Sequence, residues 1–294
     1  MKIALNLNSY ENPLLTRVLP FARELGIHAV ELWGCCLEED GTRANRYEYR
    51  NKKLKEGLKL LEQNGMEVCV LTFGLGLVPE ETKDAKRFSE KFCDTVRLAK
   101  SIGAPCIIHH MNGITGSPDP QIEYLRPYWE PVIECAEQNG IVLALENESN
   151  DATWCPENTK ILLDAFHSPS FTANFDSGNY YYAGNEAYPH AYHLLRGRIG
   201  HVHMKGYCVY DENAGLREDL KCVSRMSHRF EGLPACRCAA ECGGINNDGL
   251  IRALAKDGYR GYISLEHHGS DAALNEMFAG SVKWLRSMGL FEEK

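Results

Sequence analysis

The chain has 294 residues, 24% of them charged, and its 40 acidic against 32 basic side chains leave a formal net charge of −8. That balance excludes a sequence-independent nucleic-acid binder, which needs a basic stripe to meet phosphates. No apolar run approaches the ~20 residues of a membrane span, and MKIALNLNSY lacks the longer apolar stretch of a signal peptide, so a soluble, cytoplasmic protein with no membrane partner is expected.

The first segment, 2–7 (KIALNL), reads as a strand. Residues 13–25 follow with a helical stripe of Leu14, Leu15, Val18, Leu19, Phe21 and Ala22, closed by Gly26. The alternation then repeats. Strands are predicted at 29–33, 67–73, 106–110, 141–146, 171–176, 199–204 and 261–266, and helices near 51–64, 83–102, 120–138, 157–167, 186–196, 248–257 and 271–288. Several joints share one format, helix, glycine, short apolar strand, as in ELGIHAVELW, QNGIVLALE and KDGYRGYISLE. Eight β/α units predict an α/β fold, a (β/α)8 TIM barrel spanning 1–294 as a single domain, with a doubly wound open sheet as the alternative. No GxGxxG follows the first strand, and no change of composition marks a second domain.

Two long insertions fall on the side where strands end, 34–50 after the second strand and 207–247 after the seventh. Both read as rim loops, either lids with polar ligand contacts or solvated chain. The cysteines at 35, 36, 69, 93, 106, 135 and 155 read as small buried hydrophobes, reduced in the cytoplasm. Cys236, Cys238 and Cys242, with His228 nearby, lack CxxC spacing and read as reduced thiols in a long loop, a structural Zn²⁺ site being the alternative.

Four strands close on a side chain able to hold a metal: IVLALE on Glu146, FTANFD on Asp176, GHVH on His203 and YISLE on Glu266. Singly, each reads as readily as a hydrogen-bonded or ion-paired residue. Together they change meaning, because strand C-termini of a parallel barrel gather on one face. A carboxylate after LAL or ISL also needs a cation or hydrogen bonds to stay charged. An oxygen-rich set with one imidazole suits Mn²⁺ or Mg²⁺ better than a structural Zn²⁺. His201 and His203 point the same way from one strand; His203 is nearer the rim and is the expected ligand, with His201 a layer below.

The segments LALENES, NFDSGN, GRIGHVHMKG and DGYRGYISLEHH resemble the xylose-isomerase-like TIM-barrel superfamily, and the likeness runs over nearly the whole chain. The resemblance implies a sugar or sugar-phosphate isomerase or epimerase with one divalent ion held by Glu146, Asp176, His203 and Glu266. Mn²⁺ is the first expectation, with Mg²⁺, Co²⁺ or Zn²⁺ as alternatives. It also implies a small carbohydrate substrate and a homo-oligomer. The ion would polarise a carbonyl and hold an enediolate, while Glu146 and Glu266 move the proton α to that carbonyl. Return to the opposite face gives epimerisation; return to the neighbouring carbon gives isomerisation.

Further candidates for substrate contact are His109 at the end of the fourth strand, Lys205 two residues past His203, Trp33 and Phe73 as an apolar wall, and Asn179 and His268 beside the motifs, with Glu148. Three departures from the resembled pattern stand out. Asn179 stands where many relatives carry His, Gly206 replaces an acidic residue and so leaves Lys205 without that partner, and Ala152 replaces a Glu used by ketose 3-epimerases. A lyase on a keto-sugar, keto-inositol or 3-keto-glycoside is the main alternative, with His109 or His268 as leaving-group acid. An abasic-site endonuclease is disfavoured by the acidic balance, and a non-catalytic binding barrel would follow from absence of metal.

Overall fold

The structure is a computed structural model that describes residues 1–10, 13–37, 49, 51–74, 83–111, 113–209, 224–230, 233–268 and 271–292. The strands are β1 (Lys2–Asn6), β2 (Ala29–Leu32), β3 (Glu67–Phe73), β4 (Cys106–His109), β5 (Val142–Glu146), β6 (Phe171–Asp176), β7 (Ile199–Met204), β8 (Gly206–Val209), β9 (Ser224–Phe230), β10 (Leu233–Cys238) and β11 (Tyr262–Leu265). The helices are α1 (Leu15–Glu24), α2 (Asn51–Gln63), α3 (Ala85–Ile102), α4 (Ile122–Asn139), α5 (Pro156–Ala165), α6 (Ser177–Tyr182), α7 (Tyr192–Leu195), α8 (Asn247–Lys256) and α9 (Asp271–Ser287).

Eight parallel strands close into a barrel in the order β1-β11-β7-β6-β5-β4-β3-β2, the predicted TIM-barrel class. Both faces of these strands are covered, which is why CIIH of β4 and AVEL of β2 are buried at every position. The barrel floor is filled by aliphatic and thiol side chains: Ala4, Ala29, Cys69, Val70, Cys106, Ile108 and Ala144 form a cluster of their own. A much larger apolar layer lies between barrel and helices. Its densest part is aromatic. Phe73 stacks on Phe92 at 3.9 Å, and Trp129, Phe88 and Phe171 pack around them.

Local chemistry explains the helix ends. Asp84 caps α3 by accepting from the backbone N–H groups of Lys86 and Arg87. Gly103 and Gly140 end α3 and α4 at φ 77° and 67°, the left-handed turn expected of the glycine joints.

Three elements differ from the sequence expectation. The insertion after β7 carries an antiparallel sheet, β8-β10-β9, rather than loop alone, and its backbone register sets Cys236 opposite Cys208. Helix α6 follows β6 without a loop; SGNYYY is too short to display helical periodicity. The predicted helix at 186–196 is split by Tyr188, whose backbone is extended (φ −137°, ψ 129°), so only Tyr192–Leu195 forms α7. Of the 34–50 insertion, Gly34–Leu37 is a buried 3-10 turn and residues 38–48 and 50 lie outside the described residues. Among the cysteine cluster, Cys238 donates to the Cys242 carbonyl at 3.4 Å, whereas the side chains of Cys236 and His228 lie outside the described ones.

Candidate metal centre

Glu146, Asp176, His203 and Glu266 converge at the C-terminal mouth of the barrel, with one ligand atom of each within 4.8 Å of the others. All four are buried, from 0% exposed for Asp176 and His203 to 8% for Glu266. Parallel pairing sets Asp176 beside His203, while Glu266 follows directly on β11. The strand alternation points each inward.

The surroundings hold these groups rigidly. Asn147 donates to the Asp176 carbonyl at 3.0 Å and accepts from its N–H at 2.9 Å, clamping the end of β6. Asp176 also caps α6, accepting from the Asn179 N–H through Oδ1, which leaves Oδ2 for the centre. Thr153 Oγ1 donates to the Glu146 carbonyl and accepts from the Glu148 N–H, tying down the turn after β5. His203 Nδ1 lies 2.9 Å from Glu146 Oε1 and 3.2 Å from Glu266 Oε2, so this nitrogen faces the cluster.

Lys205 is the largest electrostatic surprise. Its Nζ sits 2.8 Å from Asp176 Oδ2 and 2.6 Å from Glu266 Oε2, with 4% of the residue exposed. The acidic partner missing from the motif is therefore supplied by two of the metal-capable carboxylates. Gly206 cannot supply it: a Cβ there would meet the Ala239 carbonyl oxygen at 2.1 Å. Gly178 makes room for the lysine stem, because a Cβ at 178 would fall 2.2 Å from Lys205 Cγ. Burial opposes charge on Lys205, but Asp176 and Glu266 outweigh it and hold the ammonium well above its ordinary range. Burial would likewise raise the Glu266 carboxyl, yet Lys205, His203 and also His268 hold it well below the usual range. Burial works against a charged His203 ring, and Glu31, Glu146 and Glu266 together overcome it and raise its pKa well above 6.5.

The other candidates divide sharply. His268 follows Glu266 by two residues, is half-buried, and helps hold the Glu266 carboxyl down. Trp33 donates from Nε1 to Glu31 Oε1 at 3.2 Å and so faces the mouth. Asn179 supports the scaffold, donating to the Asn147 carbonyl and accepting from Lys205 Nζ at 3.2 Å. His109 and Phe73 are placed elsewhere. Both face the helical layer: His109 is wholly buried, 4.6 Å from the Trp129 ring and 5.5 Å from Phe171. The substrate contact expected of these two is corrected on this geometry, since a strand's alternation sends consecutive side chains to opposite faces. The next residue, His110, turns inward with Nδ1 3.7 Å from Glu146 Oε2 and 3.9 Å from Glu148 Oε1.

Sequence reasoning missed His110 and Glu31. Glu31 is fully buried, with Oε2 2.8 Å from His203 Nε2 and 3.8 Å from His201 Nε2. The signal was present: a carboxylate between Val30 and Leu32 in an otherwise apolar strand needs a partner as much as Glu146 does. His201 donates to or accepts from Ser264 Oγ at 2.9 Å one layer down, as expected.

The donor set fits a divalent cation. Asp176 Oδ2 and Glu266 Oε2 are buried and receive no well-aligned hydrogen bond, despite the nearby ammonium. Three carboxylates and an imidazole nitrogen converging without water-facing exposure are the ligands such an ion takes.

Residues 19–288 match the family model described as xylose isomerase-like TIM barrel. The chain belongs to this family. Among solved structures it is similar to the probable 3-DHS dehydratase AsbF of Bacillus anthracis, at 21% identity and TM-score 0.70 over 97% of this chain and 99% of that one. It is also similar to a sugar phosphate isomerase/epimerase from Parabacteroides distasonis, at 15% identity and TM-score 0.70 over 99% and 95%. A xylose isomerase-like TIM-barrel protein from Mycobacterium smegmatis, in complex with magnesium, matches at 19% identity and TM-score 0.69 over 97% and 95%. At these identities the likeness is one of fold. No curated protein matches the sequence. Among the described residues no helix is long and apolar enough to cross a membrane.

Proposed function

We propose that this chain is a divalent-metal-dependent isomerase or epimerase of a sugar or sugar derivative, acting by proton transfer α to a carbonyl. The observation that carries the reading is the convergence of Glu146 and Glu266 with Asp176 and His203 at the barrel mouth. Family membership and the isomerase/epimerase and magnesium-bound neighbours support it. Bound on these four ligands, a divalent ion, Mn²⁺ first, supplies Lewis-acid polarisation of a substrate carbonyl.

The chain's own groups do the rest. Asp176 and His203 serve as ligands, clamped by Asn147 and Glu31. Glu146 and Glu266 stand at the ends of two different strands, β5 and β11, with β6 and β7 between them in the ring. Glu266, kept ionised by Lys205, takes the α-proton, and Glu146 returns one from the other side. Lys205 Nζ, already aimed into the centre, donates a hydrogen bond to the oxygen that gains charge. Trp33 and His268 border the substrate, and burial of the centre excludes water.

Dehydration of a keto compound is the second reading, favoured by one observation. Glu148 Oε1 lies 3.9 Å from His110 Nδ1, and burial and the neighbouring Glu146 push its carboxyl well above its usual range, which favours the form able to donate to a leaving hydroxyl. The similarity to a probable dehydratase accords with it. Deuterium uptake from D₂O over a panel of ketoses, their phosphates and keto-cyclitols, with Mn²⁺ or with EDTA, tests both. Metal-dependent uptake without change of formula is the expected result. Metal-dependent loss of water moves the reading to dehydration, and no exchange with any compound sinks both.

A further inference from the structure

Glu31 touches two ring nitrogens that are not alike. Its Oε1 receives the Trp33 indole N–H at 3.2 Å, and its Oε2 lies 2.8 Å from His203 Nε2. An indole N–H only donates, so Oε1 is committed as an acceptor. The second carboxylate oxygen is then left to accept a proton held on Nε2. A neutral ring protonated at Nε2 offers the lone pair of Nδ1, and Nδ1 is the nitrogen facing Glu146 and Glu266. We propose that Glu31 and Trp33 are a positioning pair that dictates which nitrogen of His203 carries the proton, making Nδ1 the ligating atom. This inference rests on the metal-centre reading above and concerns how tightly the ion is held, whatever reaction follows.

The pair makes a prediction that charge alone does not. In Glu31→Gln the indole still requires the amide oxygen, so the amide NH₂ turns toward His203 Nε2. That nitrogen must then accept, the ring proton moves to Nδ1, and Nδ1 meets the cluster as a donor instead of a ligand. Replacing the indole donor as well, in Glu31→Gln/Trp33→Phe, frees the amide to turn over and present its oxygen to Nε2. The second substitution should therefore repair the first.

The experiment is Mn²⁺ titration of the full chain as wild type, Glu31→Gln, Trp33→Phe and the double variant, read by calorimetry and by the spin resonance of free Mn²⁺. Glu31→Gln should weaken binding about 10–100-fold, Trp33→Phe much less, and the double variant should recover most of the loss. A double variant as weak as Glu31→Gln, or a Glu31→Gln that binds like wild type, overturns the proposal. Should Glu31→Gln fail to fold, nitrogen NMR of wild-type histidines with Zn²⁺ bound decides alone. A proton on His203 Nε2 with a coordinated Nδ1 is expected, and a proton on Nδ1 overturns the pair while leaving the metal centre standing. A wild type that binds neither Mn²⁺ nor Zn²⁺ overturns the metal centre and the pair together.

Discussion

His109 and His110 are neighbours in sequence and belong to different solvents. His109 is sealed among Trp129, Phe92 and Phe171 with neither ring nitrogen hydrogen-bonded, and burial lowers its pKa well below 6.5. His110 leans toward two carboxylates at the barrel mouth. The same split separates Phe73 in the aromatic layer from Trp33 at the mouth, and His267, bonded to Ser281 against Phe278, from Glu266. The inward face of the rim concentrates charge and polar donors, while the outward face, one residue away, packs mainly against the aromatic and aliphatic side chains of the helices. Side-chain alternation thus lets a four-residue strand serve chemistry and stability at once.

Substitutions on the two faces should have opposite signatures. On the inward face, Glu266→Gln should reduce deuterium exchange by at least about 10³-fold, and should weaken Mn²⁺ binding less than Asp176→Ala does; full activity would remove Glu266 from the acid/base role. On the outward face, Phe73→Ala should lower unfolding free energy by about 3–5 kcal/mol, while turnover per folded molecule stays close to wild type. Denaturant titration and active-site counting together check this, and a specific loss of turnover would put Phe73 back at the substrate. His110→Gln should cost about 10–100-fold in rate with little shift in melting temperature; a melting shift without a rate change would make it structural.

The smallest effect is one of acidity. His109 and His267 are buried neutral, the latter held down to about 3 by burial and by neighbouring His268 and Lys205. Below the ordinary histidine range the unfolded chain takes up protons that these rings refuse when folded. Stability is therefore whole above pH ~6.5 and falls by about 1.4 kcal/mol per pH unit for each such ring as pH drops below it. His109→Phe should remove one ring's share of that slope in urea titrations between pH 6 and 4, and should leave activity unchanged. A slope identical to wild type would mean that His109 is protonated in the fold.

Much of this was legible in sequence. The barrel followed from repeated helix–glycine–strand joints, and the four converging residues from apolar runs that each end on a ligand type. What escaped did so for physical reasons. The doublet His109-His110 hides its register, because choosing a face requires knowing that Cys106 and Ile108 fill the barrel floor. Glu31 lies inside its strand instead of at the end, so a search of strand ends passes over it. The residue that follows Lys205 is Gly206, and the carboxylates that meet its ammonium, Asp176 and Glu266, reach it from two other strands. The sheet over 206–238 has polar, cysteine-rich strands without clean alternation, which masks its pairing.

The hollow left at Gly178 carries one more consequence. The lysine stem occupies the volume that any larger residue at 178 would claim. The two positions are 27 apart in the chain, yet they cannot vary independently. A descendant that gains a side chain at 178 must move or surrender the lysine stem, and one that loses the lysine has only the Tyr207 ring, 3.0 Å from such a Cβ, left to shift. Position 178 is in effect a lock on the evolutionary path by which this centre can change its charge.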